Sequence, residues 1–183
     1  MHDIRSIPTT DICILITMLK TYTVQHNEHT TTRTFEEVVQ AFEAATGSVE
    51  GGGWPKIAAS ANSLEDFEKL VRSHEGSSGF MRFLTIDHGG WMSRYGSRAR
   101  SRMYTLGNPL IAVTMLRHSI AAGLNVPVRL LIYEDRESGS TRLAYDLPSS
   151  LMSVLEDDEV AAAAKKLDAK LVALAVSATG SEA

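Results

Sequence analysis

A carboxylate and an imidazole stand next to each other at Asp87 and His88, directly after an apolar segment that predicts a strand. A carboxylate can orient an imidazole for proton transfer, so the two residues are candidates for acid–base catalysis. Because adjacent residues of a strand point to opposite faces, we do not expect Asp87 to hold His88 directly. The alternative is that Asp87 caps a turn and His88 satisfies backbone groups.

Tyr145 is a third candidate catalytic residue, and with Asp146 it ends the last predicted strand. Its phenol can donate a proton to a substrate. The alternative is that the ring packs in the core and only its polar tip finds a partner.

An anion site is a second interpretation of the same region, because four arginines lie in or beside the polar segment that follows Asp87: Arg94, Arg98, Arg100 and Arg102. The guanidinium fork suits a carboxylate or a phosphate. Asn108 before Pro109 predicts the start of a helix, whose first amides can also meet an anion. We therefore expect Arg94, Arg98 and Asn108 to bind ligand, although folding or dimer formation must bring them together. The alternative is a solvated loop.

Composition and motifs limit the other functions. A net charge of −4 argues against nucleic acid and anionic membranes as partners. No Gly-x-Gly-x-x-Gly, Walker or Gly-x-Ser-x-Gly motif is present, and His26 and His29 have no accompanying ligand cluster. We therefore expect neither an organic cofactor nor a metal. The chain has one cysteine, Cys13, which fits a cytoplasmic location.

The first residues stand apart from the rest. The apolar run Ile12–Ile16 is far shorter than the ~20 residues that cross a membrane. Residues 1–19 are interpreted either as an N-terminal arm or as a product of gene calling, with translation starting at Met18. Residues 20–179 are expected to form a single domain.

The elements predicted within this domain alternate between strands and helices. Strands are expected at 22–26, 80–86, 103–106, 128–133 and 141–145, and helices after the capping residues Thr34, Ser63, Asn108 and Asp157. The Asn108 helix, expected over 109–122, is apolar on most sides and should be buried on more than one face. Strands joined by hairpins favour an α+β domain of two layers, with a mixed or mainly antiparallel sheet and its helices on one face.

Several short motifs in a fixed order carry a family resemblance. They are Ile86-Asp87-His88, Leu106-Gly107-Asn108-Pro109, Leu124-Asn125-Val126-Pro127, Leu131-Ile132-Tyr133-Glu134-Asp135 and Tyr145-Asp146-Leu147-Pro148. Together, over residues 20–176, the chain resembles the domain of unknown function 302 family. The resemblance implies a β-α-β(4)-α core similar to the TATA-binding-protein-like fold, often dimeric, and no established activity.

The chain departs from the family pattern in two places. Residues 48–79 form a longer segment, with a helix of its own, than the family usually carries between its first helix and second strand. The tyrosine motif reads Tyr-Asp-Leu-Pro where the family tends to have Tyr-Asn-Asp-Pro. We call residues 48–79 the insertion.

Three functions remain open from the sequence. The first is a homodimeric domain with a cleft for a small anionic or aromatic organic molecule. The second is a cofactor-independent acid–base enzyme of the lyase, isomerase or decarboxylase type that uses Asp87, His88 and Tyr145. The third is a regulatory module whose insertion docks a partner.

Overall fold

The computed structural model describes residues 18–180, so Cys13 and most of the N-terminal arm lie outside the described residues. Six strands form one sheet in the order β1-β6-β5-β4-β3-β2. Neighbouring strands are antiparallel except β2, which runs parallel to β3. The strands are β1 His26–Thr31, β2 Gly47–Ser48, β3 Met81–Asp87, β4 Ser101–Gly107, β5 Val128–Glu134 and β6 Thr141–Asp146.

Seven α-helices connect or follow these strands in the described part of the chain. They are α1 Phe35–Ala45, α2 Trp54–Ala59, α3 Leu64–His74, α4 His88–Met92, α5 Pro109–Leu116, α6 Pro148–Met152 and α7 Asp158–Thr179. Without β2 and the helices α2 to α6, the order is β-α-β(4)-α. The expected α+β fold with a mainly antiparallel sheet is confirmed.

Local capping chemistry starts the two helices that cover one face of the sheet. At α1, the Glu37 amide donates to Thr34 Oγ1 over 3.3 Å and the Thr34 amide donates to the Glu37 carboxylate over 2.8 Å. At α7, the Val160 amide donates to Asp157 Oδ1 over 2.9 Å. The apolar sides of both helices pack on inward-facing residues of the sheet, which forms the main core.

The insertion has an apolar cluster of its own next to the main core. Val49, Val71 and Met81 are its buried members, and half-buried side chains pack around them: Trp54, Ile57, Phe67, Phe83 and Leu110. Two glycines close the base of the insertion. A Cβ on Gly47 would lie 1.7 Å from the His74 carbonyl oxygen, and one on Gly76 would lie 2.4 Å from the Ala45 carbonyl oxygen. Two backbone segments therefore pass so close to each other at these positions that only glycine fits.

Two predicted boundaries were wrong. The first strand was expected at 22–26 but lies at His26–Thr31, because its position is set by pairing with β6 rather than by local β-propensity. The helix expected over 109–122 ends at Leu116. Ser119 is extended, and a separate 3₁₀ helix covers Ile120–Asn125.

Candidate functional site

A cleft with a volume of about 710 Å³ lies between α5 and the insertion. This size suits a small organic molecule. One wall comes from α5 and the residues before it, the opposite wall from the insertion, and the floor from β3, the start of β5 and α7. The lining side chains include Trp54, Phe67, Phe83, Asn108, Ile111, Ala112, Met115, Leu116 and Leu167.

Three aromatic rings form the wall on the insertion side. The Trp54 ring lies 5.9 Å from that of Phe67 and 5.8 Å from that of Phe83, centroid to centroid, and both contacts are edge-to-face. Aromatic pairs favour this arrangement because the ring edge is positive and the ring face negative. Phe83 belongs to the sheet, so the insertion is fixed to β3 through its own aromatic residues.

Helix α5 supplies the opposite wall, and its apolar side chains contact different parts of the protein on different sides of the helix. Met115 is buried in the main core, whereas Leu110 packs on the cluster of the insertion and Val113 is 43% exposed. The helix is thus covered on two sides within the chain, and residues between these sides line the cleft.

Asn108 fixes the start of α5 and has no hydrogen-bond donor left for a ligand. Its Oδ1 accepts from the Leu110 amide over 2.8 Å, and its Nδ2 donates to Glu75 Oε2 over 2.6 Å and to the Gly79 carbonyl over 2.9 Å. The side chain is 6% exposed. Asn108 therefore ties α5 to the end of α3 and to the strand that follows.

The expectation that α5 presents free amides to an anion was wrong. Pro109 has no N–H, the Leu110 amide is taken by the Asn108 side chain, and the next two amides donate to the Asn108 carbonyl. Local capping uses the groups that an anion would need.

Asp87 and His88 lie at the other end of the sheet, and they do not contact each other through a hydrogen bond. The Asp87 carboxylate caps α4, accepting from the Gly90 amide over 2.8 Å. His88 Nδ1 accepts from the Trp91 indole N–H over 3.2 Å. Because an indole N–H only donates, this bond assigns the proton of the neutral imidazole to Nε2. A catalytic role for either residue stays a prediction.

The arginines of this region divide into two pairs. Arg94 and Arg98 are exposed. Arg100 is held between Glu36 and Glu134 and lies over the Phe35 ring, 5.1 Å from its centroid. The Arg100 guanidinium holds the pKa of the Glu134 carboxyl below its usual range. Arg102 has a carboxylate partner too, Glu43, at 3.6 Å. Acidic neighbours thus offset much of the positive charge expected from the sequence.

Tyr145 is buried on β6, 3% exposed, on the sheet face covered by α7. Its hydroxyl oxygen accepts from Asn27 Nδ2 over 3.0 Å. Burial raises the pKa of Tyr145 to about 12, against the opposing effect of the Asn27 amide. The residue packs as a core tyrosine with a satisfied polar tip, and proton donation by it stays a prediction.

The structure does not bring the six candidate residues into one site within the chain. Asp87 pairs with Arg102 near the start of β4, whereas Asn108 follows the end of that strand. The six residue steps from Arg102 to Asn108 separate these positions by about 20 Å. Tyr145 lies three strands from Asp87 in the sheet order, about 14 Å across the strands. Only Asn108 lines the large cleft, and His88 and Arg98 line smaller, polar grooves at the opposite end.

The cleft residues that the sequence did not reveal are apolar: Trp54, Phe67 and Phe83. Their types carry no chemical signature, and their convergence depends on how the insertion folds against β3. Two features of the sequence point to these residues: aromatic side chains within residues 48–79, and a helix, 109–116, that is too apolar for one buried face.

Other kinds of site have less support in residues 18–180. No cluster of three or more His, Cys, Asp or Glu side chains there could hold a metal ion. None of the helices in this part of the chain combines the length and apolarity needed to cross a membrane.

The fold and the cleft define a small α+β domain with a mainly antiparallel sheet and an apolar cleft closed by residues 48–79. The family model described as "Domain of unknown function DUF302" matches residues 56–178, about two thirds of the chain. The chain belongs to this family.

A solved structure supports the same fold. The crystal structure of an uncharacterized conserved DUF302 protein from Bacillus stearothermophilus is similar, with a TM-score of 0.59 and 15% sequence identity over 84% of this chain and 97% of that chain. At this identity the similarity concerns the fold alone. No curated protein matches the chain.

Proposed function

We propose that this protein binds a small, mainly apolar organic molecule in the cleft between α5 and the insertion. The observation that carries the proposal is the cleft of about 710 Å³, which has an aromatic wall on the side of the insertion and an aliphatic wall on the side of α5. Apolar pockets of this size with few polar groups are the usual form of small-molecule sites. The burial of such a ligand would make the free energy of binding more favourable by about 25 cal/mol for each Å² of apolar surface removed from water.

The residues lining the cleft favour binding over acid–base catalysis. Among the described residues, no Asp, Glu, His, Lys, Arg, Tyr, Cys or Ser side chain lines it. General acid–base catalysis needs a titratable group within hydrogen-bond reach of the substrate. The enzyme hypothesis therefore depends on the polar grooves near His88, which are separate from the cleft.

The insertion is better explained as a wall of the site than as a docking surface. Its side chains Trp54, Phe67 and Val71 pack against one another or against the sheet. Glu75 at its end holds Asn108 at the start of α5. These contacts support a role in shaping the cleft.

A binding titration with the neutral fluorescent probe N-phenyl-1-naphthylamine tests the proposal. We expect saturable binding with one site per chain. Ala112→Phe places a ring in the cleft and should weaken binding at least about tenfold, because overpacking removes the space that the probe needs. Ala162→Phe, at an exposed position of α7, is the matched control and should bind as the unmodified protein does.

The same titration separates this proposal from a site around His88. Our proposal predicts that His88→Ala and Arg98→Ala leave the affinity for the probe within about twofold. A site at the other end of the sheet predicts the reverse, with binding lost in these two variants and retained in Ala112→Phe. Absence of saturable binding by the unmodified protein would also reject the proposal.

A further inference from the structure

The charge around the cleft restricts the ligand further, given the proposed function. No formal charge is carried by a side chain lining the cleft in the described part of the chain. The Glu75 carboxylate lies beside the cleft, 2.6 Å from the amide nitrogen of the lining residue Asn108. A buried anion would lose its hydration, gain no cation, and lie near this carboxylate.

A cationic ligand is also disfavoured, although aromatic rings and a carboxylate can attract one. The Glu75 carboxylate is already hydrogen-bonded to Asn108 Nδ2 and does not itself line the cleft. A cation in the cleft would therefore be desolvated without an ion-pair partner at contact distance. Both arguments leave a neutral molecule as the ligand.

The aromatic wall favours a flat, aromatic ligand over an aliphatic one of the same size. Trp54 contacts Phe67 and Phe83 edge-to-face at centroid distances of 5.9 and 5.8 Å. An aromatic ligand adds another ring pair to this group. Such a pair strengthens binding by roughly three- to tenfold beyond the area it buries.

One polar group on the lining side chains is still available as a donor. Both N–H groups of the Asn108 amide are used, and Pro55, Pro109 and Pro127 have no backbone N–H. The Trp54 indole N–H makes no hydrogen bond with any residue from 18 to 180. An indole N–H only donates, so its partner on a ligand must be an acceptor such as a carbonyl oxygen.

We propose that the cleft selects a neutral aromatic molecule bearing a hydrogen-bond acceptor, with Trp54 of the insertion as the specificity-determining residue. The acceptor meets the Trp54 N–H, and the ring of the ligand joins the group formed by Trp54, Phe67 and Phe83. The insertion thereby determines which molecules this domain accepts.

Calorimetric titration with five matched probes tests the proposal. 2-Acetonaphthone has the ring and the acceptor, naphthalene lacks the acceptor, and 2-acetyldecalin keeps the acceptor and the two-ring skeleton but is not aromatic. 2-Naphthoate and (2-naphthylmethyl)trimethylammonium carry a negative and a positive charge. We expect 2-acetonaphthone to bind most tightly, about fivefold above naphthalene, since one hydrogen bond is worth a few-fold in affinity. The charged probes should be at least about tenfold weaker than 2-acetonaphthone.

Two variants assign the selectivity to one side chain. Trp54→Phe keeps an apolar ring and removes the N–H, so it should lower the affinity for 2-acetonaphthone to that for naphthalene and leave naphthalene binding within about twofold. Trp91→Phe alters the only other tryptophan, which lies outside the cleft, and should leave both affinities unchanged.

The results distinguish failure of this inference from failure of the proposed function. If N-phenyl-1-naphthylamine binds in the cleft but a charged or aliphatic probe equals 2-acetonaphthone, the selectivity is wrong and the binding function stands. Equal loss of naphthalene and 2-acetonaphthone in Trp54→Phe would also overturn the role of the N–H. If neither the fluorescent probe nor any of the five probes binds, the proposed function itself fails.

Discussion

Replacing Asn108 by alanine should destabilise the protein strongly, because this one side chain joins three separate segments. It accepts from the Leu110 amide, and it donates to Gly79 and to the Glu75 carboxylate. Losing the helix cap costs about 1 kcal/mol. The neutral hydrogen bond contributes about 1 kcal/mol, and the bond to the carboxylate about 2 kcal/mol. We therefore expect Asn108→Ala to lower the free energy of unfolding by about 3–4 kcal/mol.

Urea denaturation followed by circular dichroism measures this loss, and thermal unfolding gives an independent value. For a chain of this length, the expected loss corresponds to a decrease in melting temperature of about 10 °C. Asn62→Ala is the matched control, since Asn62 is exposed, and its effect should stay within about 0.5 kcal/mol. A loss below about 1 kcal/mol in Asn108→Ala, accompanied by loss of ligand binding, would refute the structural role and favour direct ligand contact.

A second variant at the same position separates the cap from the other two bonds. Asn108→Asp keeps an acceptor for the Leu110 amide but cannot donate to Glu75 or Gly79 while ionised. The new carboxylate also lies beside that of Glu75, and this repulsion raises its pKa in the folded state. A raised folded-state pKa favours the folded state as pH falls, so the deficit should shrink towards pH 4. A deficit that does not change with pH would contradict this explanation.

Three other predictions follow from the fold. Val71→Ala should lower the free energy of unfolding by about 2 kcal/mol in urea, because Val71 is fully buried in the cluster of the insertion, and an unchanged stability would show that this cluster does not support the fold. The Tyr145 phenol should titrate near pH 12 when followed by ultraviolet absorbance, and titration near pH 10 would contradict its burial. Because its pKa is raised from 10 in the folded state, the stability that this phenol contributes is complete below pH 10 and is lost as pH rises towards 12. We expect sedimentation velocity at micromolar concentration to show a homodimer, and a monomer throughout would contradict this. Met103 and Leu131 are cross-strand neighbours on the sheet face opposite α1 and α7, and we expect them to form part of the interface.

Local chemistry made much of the fold predictable from the sequence. Thr34, Ser63, Asn108 and Asp157 each cap the helix that their sequence predicts, because a cap depends on residues within one turn. The antiparallel pairing of β5 with β6 follows from the short connection between Glu134 and Thr141. The first strand was misplaced because its register is fixed by β6, more than 100 residues away.

The candidate site was less predictable, because it depends on contacts between distant segments. Asn108 was correctly interpreted as a cap, but its bonds to Glu75 and Gly79 span 33 and 29 residues and use the groups that a ligand would need. Trp54 and Phe83 are 29 residues apart and meet only because the insertion folds back on β3. Residue types with reactive or charged groups, such as His88 and Arg98, predicted a site at the polar end of the sheet instead.

The two indole N–H resonances of the protein test the central claim most directly, because Trp54 lines the cleft and Trp91 contacts His88 at the other end of the sheet. The measurement is a titration of ¹⁵N-labelled protein with N-phenyl-1-naphthylamine, with the two resonances assigned from Trp54→Phe and Trp91→Phe. A ligand in the cleft between α5 and the insertion should shift the Trp54 resonance saturably, at one probe per chain, and leave that of Trp91 in place. A saturable shift of Trp91 alone, or no shift of either resonance, would contradict the account.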